Sequence, residues 1–425
     1  MRIALISLVC ALALGCGDDS TPADSGPGDG GMPDSATMTD GGSDAAMPDA
    51  GSCDPGAIFP GRGELSAVMD QARGRIIVYA GNLASPLACM PNYSYTDEVW
   101  AFDTTCETWT KLSVTAGPGA RARGKFVLDV ANDRALLFGG RERSSSGVYT
   151  LYNETWAFDF GTDSWSQLST TGDAPSPRSN AVAGLDADGG RLIIFGGNTS
   201  SSGLSPTGSG DTYALDLGTN VWSRIDATGG PSPRYYHAGV VVDRELVVFG
   251  GTPNFSGPFL DDTYAFNFDT NTWRMVAPGG AGAPEIRFGM RLYADEVGGR
   301  ALMVAGHDFT DLGNRNDVWA VDLASGVWTR LVQGDVLHGT AAGACDFPAD
   351  FTTPDLNAPE RRFGFGRAQT GTTGWVLAGK SDCGNVNDVW KVDLTTGAWT
   401  PAGLAATEGE ACNRSGAAGC TTLCY

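Results

Sequence analysis

The chain has 425 residues, with 60 Gly, 22 Pro, and 49 Asp plus Glu against 28 Lys plus Arg, a formal net charge of -21. The negative balance argues against a nucleic-acid partner, because a phosphate-binding surface needs concentrated Lys and Arg. A hydrophobic share of 42% excludes a wholly disordered chain, and glycine at about twice ordinary usage points to many tight turns and short strands.

The N-terminus reads MRIALISLVCALALGC. Arg2 precedes an apolar run from Ile3 to Leu14, too short to span a bilayer and right for a signal-peptide core. The run closes on Ala13-Leu14-Gly15-Cys16, which resembles the bacterial lipobox. That resemblance implies cleavage after residue 15, a lipid on Cys16, and export to the outer membrane or cell surface, with Gly17 rather than Asp next to the lipidated residue. Residues 17–53 contain eight Asp and no Lys, Arg or aromatic residue. They cannot bury enough apolar surface to offset ordering entropy, so a disordered linker over 16–55 is predicted. The Asp residues lack coordination spacing, and no metal or cofactor is expected.

From residue 56 to 401 one unit is written six times. It has an Arg, an apolar strand ending in Asp, a strand ending in Gly-Gly or Ala-Gly, a variable loop, an acid two before an aromatic, and a hairpin to a Trp. The second strands end at Ala80-Gly81, Gly139-Gly140, Gly196-Gly197, Gly250-Gly251, Ala305-Gly306 and Ala378-Gly379. The fourth-strand tryptophans are Trp109, Trp165, Trp222, Trp273, Trp328 and Trp399. Four short strands per copy read as one antiparallel sheet, and packing such sheets radially buries their faces. The pattern resembles the kelch repeat over about four fifths of the chain, which implies an all-β, six-bladed β-propeller. A Cys-containing tail, 402–425, follows. The resemblance is weak for function, because kelch propellers serve as adaptors, binding modules and enzymes.

Strand order sorts the loops between two ends of the propeller. The end where each first strand starts, here X, carries the Arg, the double Gly, the second-to-third loop and the inter-blade connection. The two hairpins lie at the other end, Y. Acidic hairpins such as Asp186-Ala187-Asp188-Gly189-Gly190 are therefore read as turns rather than calcium loops. At X, every copy has an arginine (Arg62, Arg121, Arg178, Arg234, Arg287, Arg362) and an acid (Glu98, Glu154, Asp211, Asp262, Asp317, Asp388). A ligand site should break the symmetry, whereas a bracing task recurs, so these are read as structural Arg–carboxylate pairs.

The X-end loops do break the symmetry. Tyr93, Tyr95, Arg141, Arg143, Tyr149, Tyr152, Phe255, Phe259, His307, Phe309 and Arg315 form the candidate ligand-binding face. Such residues suit a protein or glycan partner at the cell envelope. Irregular loops that only cover the propeller are the other reading. No catalytic set stands out, so the chain is read as a monomeric binding module, with the membrane reached through the lipid alone. The competing reading is the six-bladed kelch sialic-acid epimerases of the bacterial envelope, which would need an acid–base group beside a carboxylate-clamping Arg, such as Arg141-Glu142-Arg143. A galactose-oxidase-like copper site finds no partner pattern among His237, His307 and His338, and His237 is read as core.

Eight cysteines remain after Cys10 and Cys16, and an even number in an exported chain suggests disulfides. Cys345 and Cys383 both belong to X-end segments and are predicted to pair. Cys89 and Cys106 belong to opposite ends, about 17 Å apart, which disfavours that pair. Cys53 has Cys412, Cys420 and Cys424 as candidate partners, and its assignment stays open.

Overall fold

The structure is a computed structural model that describes residues 53–84, 93–144, 148–203, 205–308, 313–335, 358–381 and 384–403. Cys16, the acidic linker, Phe309, Cys345, Cys383 and the cysteines of the tail lie outside the described residues. The unit from Cys53 onward is all-β, with six antiparallel sheets arranged as the blades of a propeller.

Each blade is one continuous stretch of chain. Blade 1 uses Ser66–Asp70, Arg75–Tyr79, Val99–Asp103 and Thr108–Lys111 in sequential order, and the other five follow the same path, blade 3 with Thr171–Gly172 added parallel to its fourth strand. The first strands of the blades are Ser66–Asp70, Lys125–Asp129, Val182–Asp186, Ala238–Val242, Arg291–Asp295 and Gly366–Thr370. They stand innermost and line an axial channel. Among the described residues no strand is exchanged between the ends of the chain, and the ring closes blade against blade.

The core consists of six apolar clusters among the described residues, one at each seam between neighbouring blades. The fourth-strand Trp of each blade reaches back to the blade before it. There it meets the aromatic residue that precedes the double Gly: Tyr79 with Trp165, Phe138 with Trp222, Phe195 with Trp273, and Phe249 with Trp328, at centroid distances of 4.7–5.5 Å. Such aromatic pairs contribute about 0.5–1.5 kcal/mol beyond area burial. Two far-apart features of the repeat are therefore the two halves of one inter-blade contact.

The double Gly has separate reasons at its two positions. The first takes φ of 54° to 70°, a left-handed conformation that Ala80, Ala305 and Ala378 also accept. The second takes φ of 99° to 120° in all six copies. A Cβ there would also come within 2.8–3.0 Å of the strand-entry backbone or side chains, as at Gly140 against the Ala122 carbonyl and Gly251 against the Tyr235 carbonyl. Only glycine fits the second position, which is why Ala-Gly occurs and Gly-Ala does not.

At Y, the acids that end the first strands brace their own hairpins. Asp186 accepts from the Gly189 N–H at 3.0 Å and from Arg191 at 2.7 Å, and Asp295 does the same with Gly298 and Arg300. Cys106, in the third-to-fourth hairpin of blade 1, is bonded to Cys53. The Cys53 pairing left open by the sequence is thus settled within blade 1 rather than with the tail cluster. The cause is local: residues ahead of Arg62 run up the outside of blade 1 from Y to X, with the Ala57 N–H donating to the Trp109 carbonyl at 2.7 Å.

Candidate functional site

The site starts from the arginine that opens each repeat. All six are buried, at 0–2% exposure. Each holds the acid of its own blade: Arg62–Glu98 at 2.7 Å, Arg121–Glu154 at 3.3 Å, Arg178–Asp211 at 2.5 Å, and Arg234–Asp262, Arg287–Asp317 and Arg362–Asp388 at 2.6 Å. Each also donates to the carbonyl of the first residue of its double Gly, as Arg178 does to Gly196 at 2.9 Å. In blades 1, 5 and 6 the same acid accepts the indole N–H of the Trp two residues later. The guanidinium ties the second strand's end to the start of the third, with its donors occupied inside the blade.

The first strand does not begin at this arginine, where the repeat pattern places its start. It begins four residues later, because the residue two after the arginine turns the chain. In the six copies this residue is Glu64, Arg123, Asn180, Tyr236, Gly289 and Gly364, all with φ between 55° and 69°. Two copies use glycine, for which the conformation is free. Four carry side chains there at a cost of about 1–3 kcal/mol each. These positions ring the mouth of the channel and are linked by backbone hydrogen bonds. Gly364 N–H donates to Gly289, Glu64 to Gly364, Arg123 to Glu64, and Asn180 to Arg123, at 2.6–3.3 Å.

Glu64 is the centre of this mouth. Arg123 contacts both its oxygens at 2.8 Å, Lys380 reaches it at 2.8 Å, and Arg141 lies at 3.8 Å. Burial alone would push the carboxyl up, but the charges of Arg123, Lys380 and Arg141 hold it well below its usual range. Arg123 also bonds Asn180 at 3.1 Å and lies over Tyr236. Above them, Arg141 stacks on Tyr149 at 4.1 Å, and Arg143 lies between Tyr149 at 5.3 Å and Tyr93 at 4.3 Å. Tyr93 stacks on Tyr95. The hydroxyls of Tyr95 and Tyr235 are buried without a hydrogen-bond partner among the described residues. Three cations thus share one carboxylate, with Arg143 held in the tyrosine stack beside them. On the far side of the mouth the partly exposed Tyr236 packs on buried Phe288, which meets buried Phe363, beside Gly289 and Gly364.

The sequence-derived candidates divide accordingly. Tyr93, Tyr95, Arg141, Arg143 and Tyr149 gather at the mouth. Tyr152 instead covers Arg121 at 4.0 Å, and Phe255 and Phe259 belong to the blade 4 hairpin. His307 is fully buried against Phe288 and Phe363 and bonded to Asn314, while Arg315 is held by Asp308. Burial pushes the His307 imidazole down to about 4. Arg141-Glu142-Arg143 is not one cluster. It is a strand, Arg141–Arg143, so Glu142 projects opposite to its neighbours and meets the exposed Tyr152 hydroxyl. The X-end loops are largely hairpins, since the second and third strands of blades 4, 5 and 6 continue past the double Gly across a bulge.

The model of the KLHDC2/KLHL20/DRC7 Kelch-repeats domain matches residues 53–229 and 149–342. The chain belongs to the kelch-repeat family. The chain is 32% identical to Acyl-CoA-binding domain-containing protein 4 of Arabidopsis thaliana, over 61% of this chain and 37% of that protein. It is 26% identical to Kelch domain-containing protein 10 of Xenopus tropicalis, over 67% of this chain and 65% of that protein. It spans about a third of the length of the plant relatives and just under two thirds of the frog protein. A solved structure titled "Structure of YjhT" shares the fold at a TM-score of 0.57 and 14% identity, covering 82% of this chain and 99% of that one.

Proposed function

We propose that this kelch propeller is a binding module that captures an anionic group of a protein or glycan at the mouth of its X end. The observation that carries the reading is the break in symmetry at the strand-entry position. Six equivalent residues hold one strained backbone conformation, yet their side chains are acid, base, amide, phenol and two glycines. A fold needs none of that variety. Arg123, Lys380 and Arg141 around Glu64, with Arg143 beside them, outnumber the one carboxylate and leave a positive field for a carboxylate or sulfate, and the partly exposed Tyr236 ring suits a flat apolar or sugar face beside it.

Glycan-array binding and envelope pull-down with the full chain, its Cys53–Cys106 disulfide intact, test this reading. Arg141→Ala and Arg143→Ala should each weaken capture about tenfold, because a charge-assisted hydrogen bond contributes about 1.5–3 kcal/mol. Capture that survives the double substitution would exclude the mouth. A second reading, a sialic-acid-type epimerase, draws on the same pocket, with Glu64 as its carboxylate in place of Glu142. Three cations keep Glu64 ionised and make it a weak base, which favours binding over proton transfer. A mutarotation assay separates the two: turnover that is lost with Arg141→Ala would replace binding by catalysis.

The anchor at the cell envelope is proposed from the Ala13-Leu14-Gly15-Cys16 pattern. Palmitate incorporation should be present in the native chain and absent in Cys16→Ser. Equal labelling of both would remove the anchor.

A further inference from the structure

Below the mouth, the channel is a cavity of about 390 Å³ lined by the first strands of all six blades. Lys125 opens the first strand of blade 2, and Arg291 opens that of blade 5, across the ring. Both pair with the last residue before the double Gly of their own second strands, Phe138 and Val304, so they stand at the same level. Arg367, in blade 6, lies one residue further in. Protein surrounds all three, yet they remain half-exposed because the channel reaches them.

None of the three has a carboxylate partner among the described residues. Arg291 has one long hydrogen bond, 3.4 Å, to the Met290 carbonyl and lies over Phe365. Arg367 lies over Tyr293, and its Nε finds no acceptor. Every other buried arginine in a first-strand hairpin or strand entry described above is paired with an acid. The carboxylates nearest the lumen are committed or distant: Glu64 is saturated by Arg123 and Lys380, and Glu296 sits at the Y end. Three cations converging without a counter-charge are costly unless an anion joins them.

We propose that this channel is a binding site for a small, multiply charged oxyanion, held by Lys125, Arg291 and Arg367. The proposal does not rest on what docks at the mouth, although the pocket at Glu64 and Tyr236 reaches down to Lys125 and Arg291. Supporting it, burial and the neighbouring Arg291, Arg123 and Arg367 push the Lys125 ammonium down to about 7, and burial lowers Arg291 to about 10. The other groups facing Lys125 are His237, held neutral by burial and by Arg234 and Lys125, and Glu64 above it. A bound anion favours the charged ammonium, so binding takes up a proton near neutral pH and weakens as Lys125 deprotonates.

The test is calorimetric titration of the full chain in low-salt buffer with sulfate, phosphate or malonate as probe. One anion should bind per chain. Lys125→Met, Arg291→Met and Arg367→Met should each lower the affinity about tenfold or more, and exposed Arg244→Ala should leave it unchanged. Sulfate affinity should fall between about pH 6 and about pH 8, with proton uptake seen as buffer-dependent heat. The pH profile and proton uptake need no variant, so a substitution that fails to fold leaves the test intact. No binding of any probe, a flat sulfate profile, or binding indifferent to all three methionines would overturn the proposal.

Discussion

Glu64→Gln is expected to cost about 3–5 kcal/mol of folding stability, because it strands buried cations without a counter-charge. Arg123 and Lys380 both contact the lost charge at 2.8 Å, and the Glu64 side chain is only 4% exposed. Urea unfolding of both proteins measures the loss. Arg123→Gln added to Glu64→Gln should recover part of it. The native carboxyl also titrates well below 4.5, so its contribution is in full above that value and is lost as the pH falls toward the folded-state value. The native chain should therefore lose stability on acidification below about 4.5 more steeply than Glu64→Gln does. A loss under about 1 kcal/mol, with parallel acid profiles, would show that the mouth is not organised around this carboxylate.

Asp388→Asn should cost about as much, roughly 3–5 kcal/mol, for the same reason. Arg362 is 1% exposed and donates to both Asp388 oxygens, at 2.6 and 2.8 Å, as well as to the Ala378 carbonyl. Trp390 gives its indole N–H to the same carboxylate. Removing the charge leaves a guanidinium inside the blade. The Arg362→Met, Asp388→Asn pair should therefore be far less destabilised than the sum of the single changes. Additive losses would mean that the two residues act separately and do not brace the blade as one unit.

The propeller was legible because repetition multiplies a weak signal. One Gly-Gly or one Trp says little, but Phe138-Gly139-Gly140 and Trp222 recur together, and the structure shows that they touch. The arginine-to-acid pairing was legible from equal numbers on one end of the sheets. The mouth was only half visible. Arg141, Arg143 and Tyr149 stand in a loop that differs from the other loops, and difference attracts attention. Glu64 and Arg123 hide inside the repeat, two residues after an invariant feature, where a strand was expected to run straight. The signal that could have exposed them is Gly289 and Gly364: glycine in two copies marks a left-handed turn that the other four must also make. Cys53–Cys106 was hidden for another reason. Its first cysteine precedes the repeats, so no symmetry fixes where that segment lies.

That same disulfide sets the path of mechanical load. Cys53 is held at the third-to-fourth hairpin of blade 1, on the Y end. A pull on the chain before Cys53 enters the propeller at Cys106, through a covalent bond. It bypasses residues 54–61 and the seam between blades 6 and 1, which among the described residues is closed by non-covalent contacts: an apolar cluster, Lys380–Glu64, Lys391–Glu107 and Asn387 to the Phe59 carbonyl. The seam where the two ends of the propeller meet is thereby shielded from tension. Reduction would move the same force onto the strand that climbs to Arg62 and to Glu64, so the integrity of the mouth under load depends on a bond at the opposite end of the molecule.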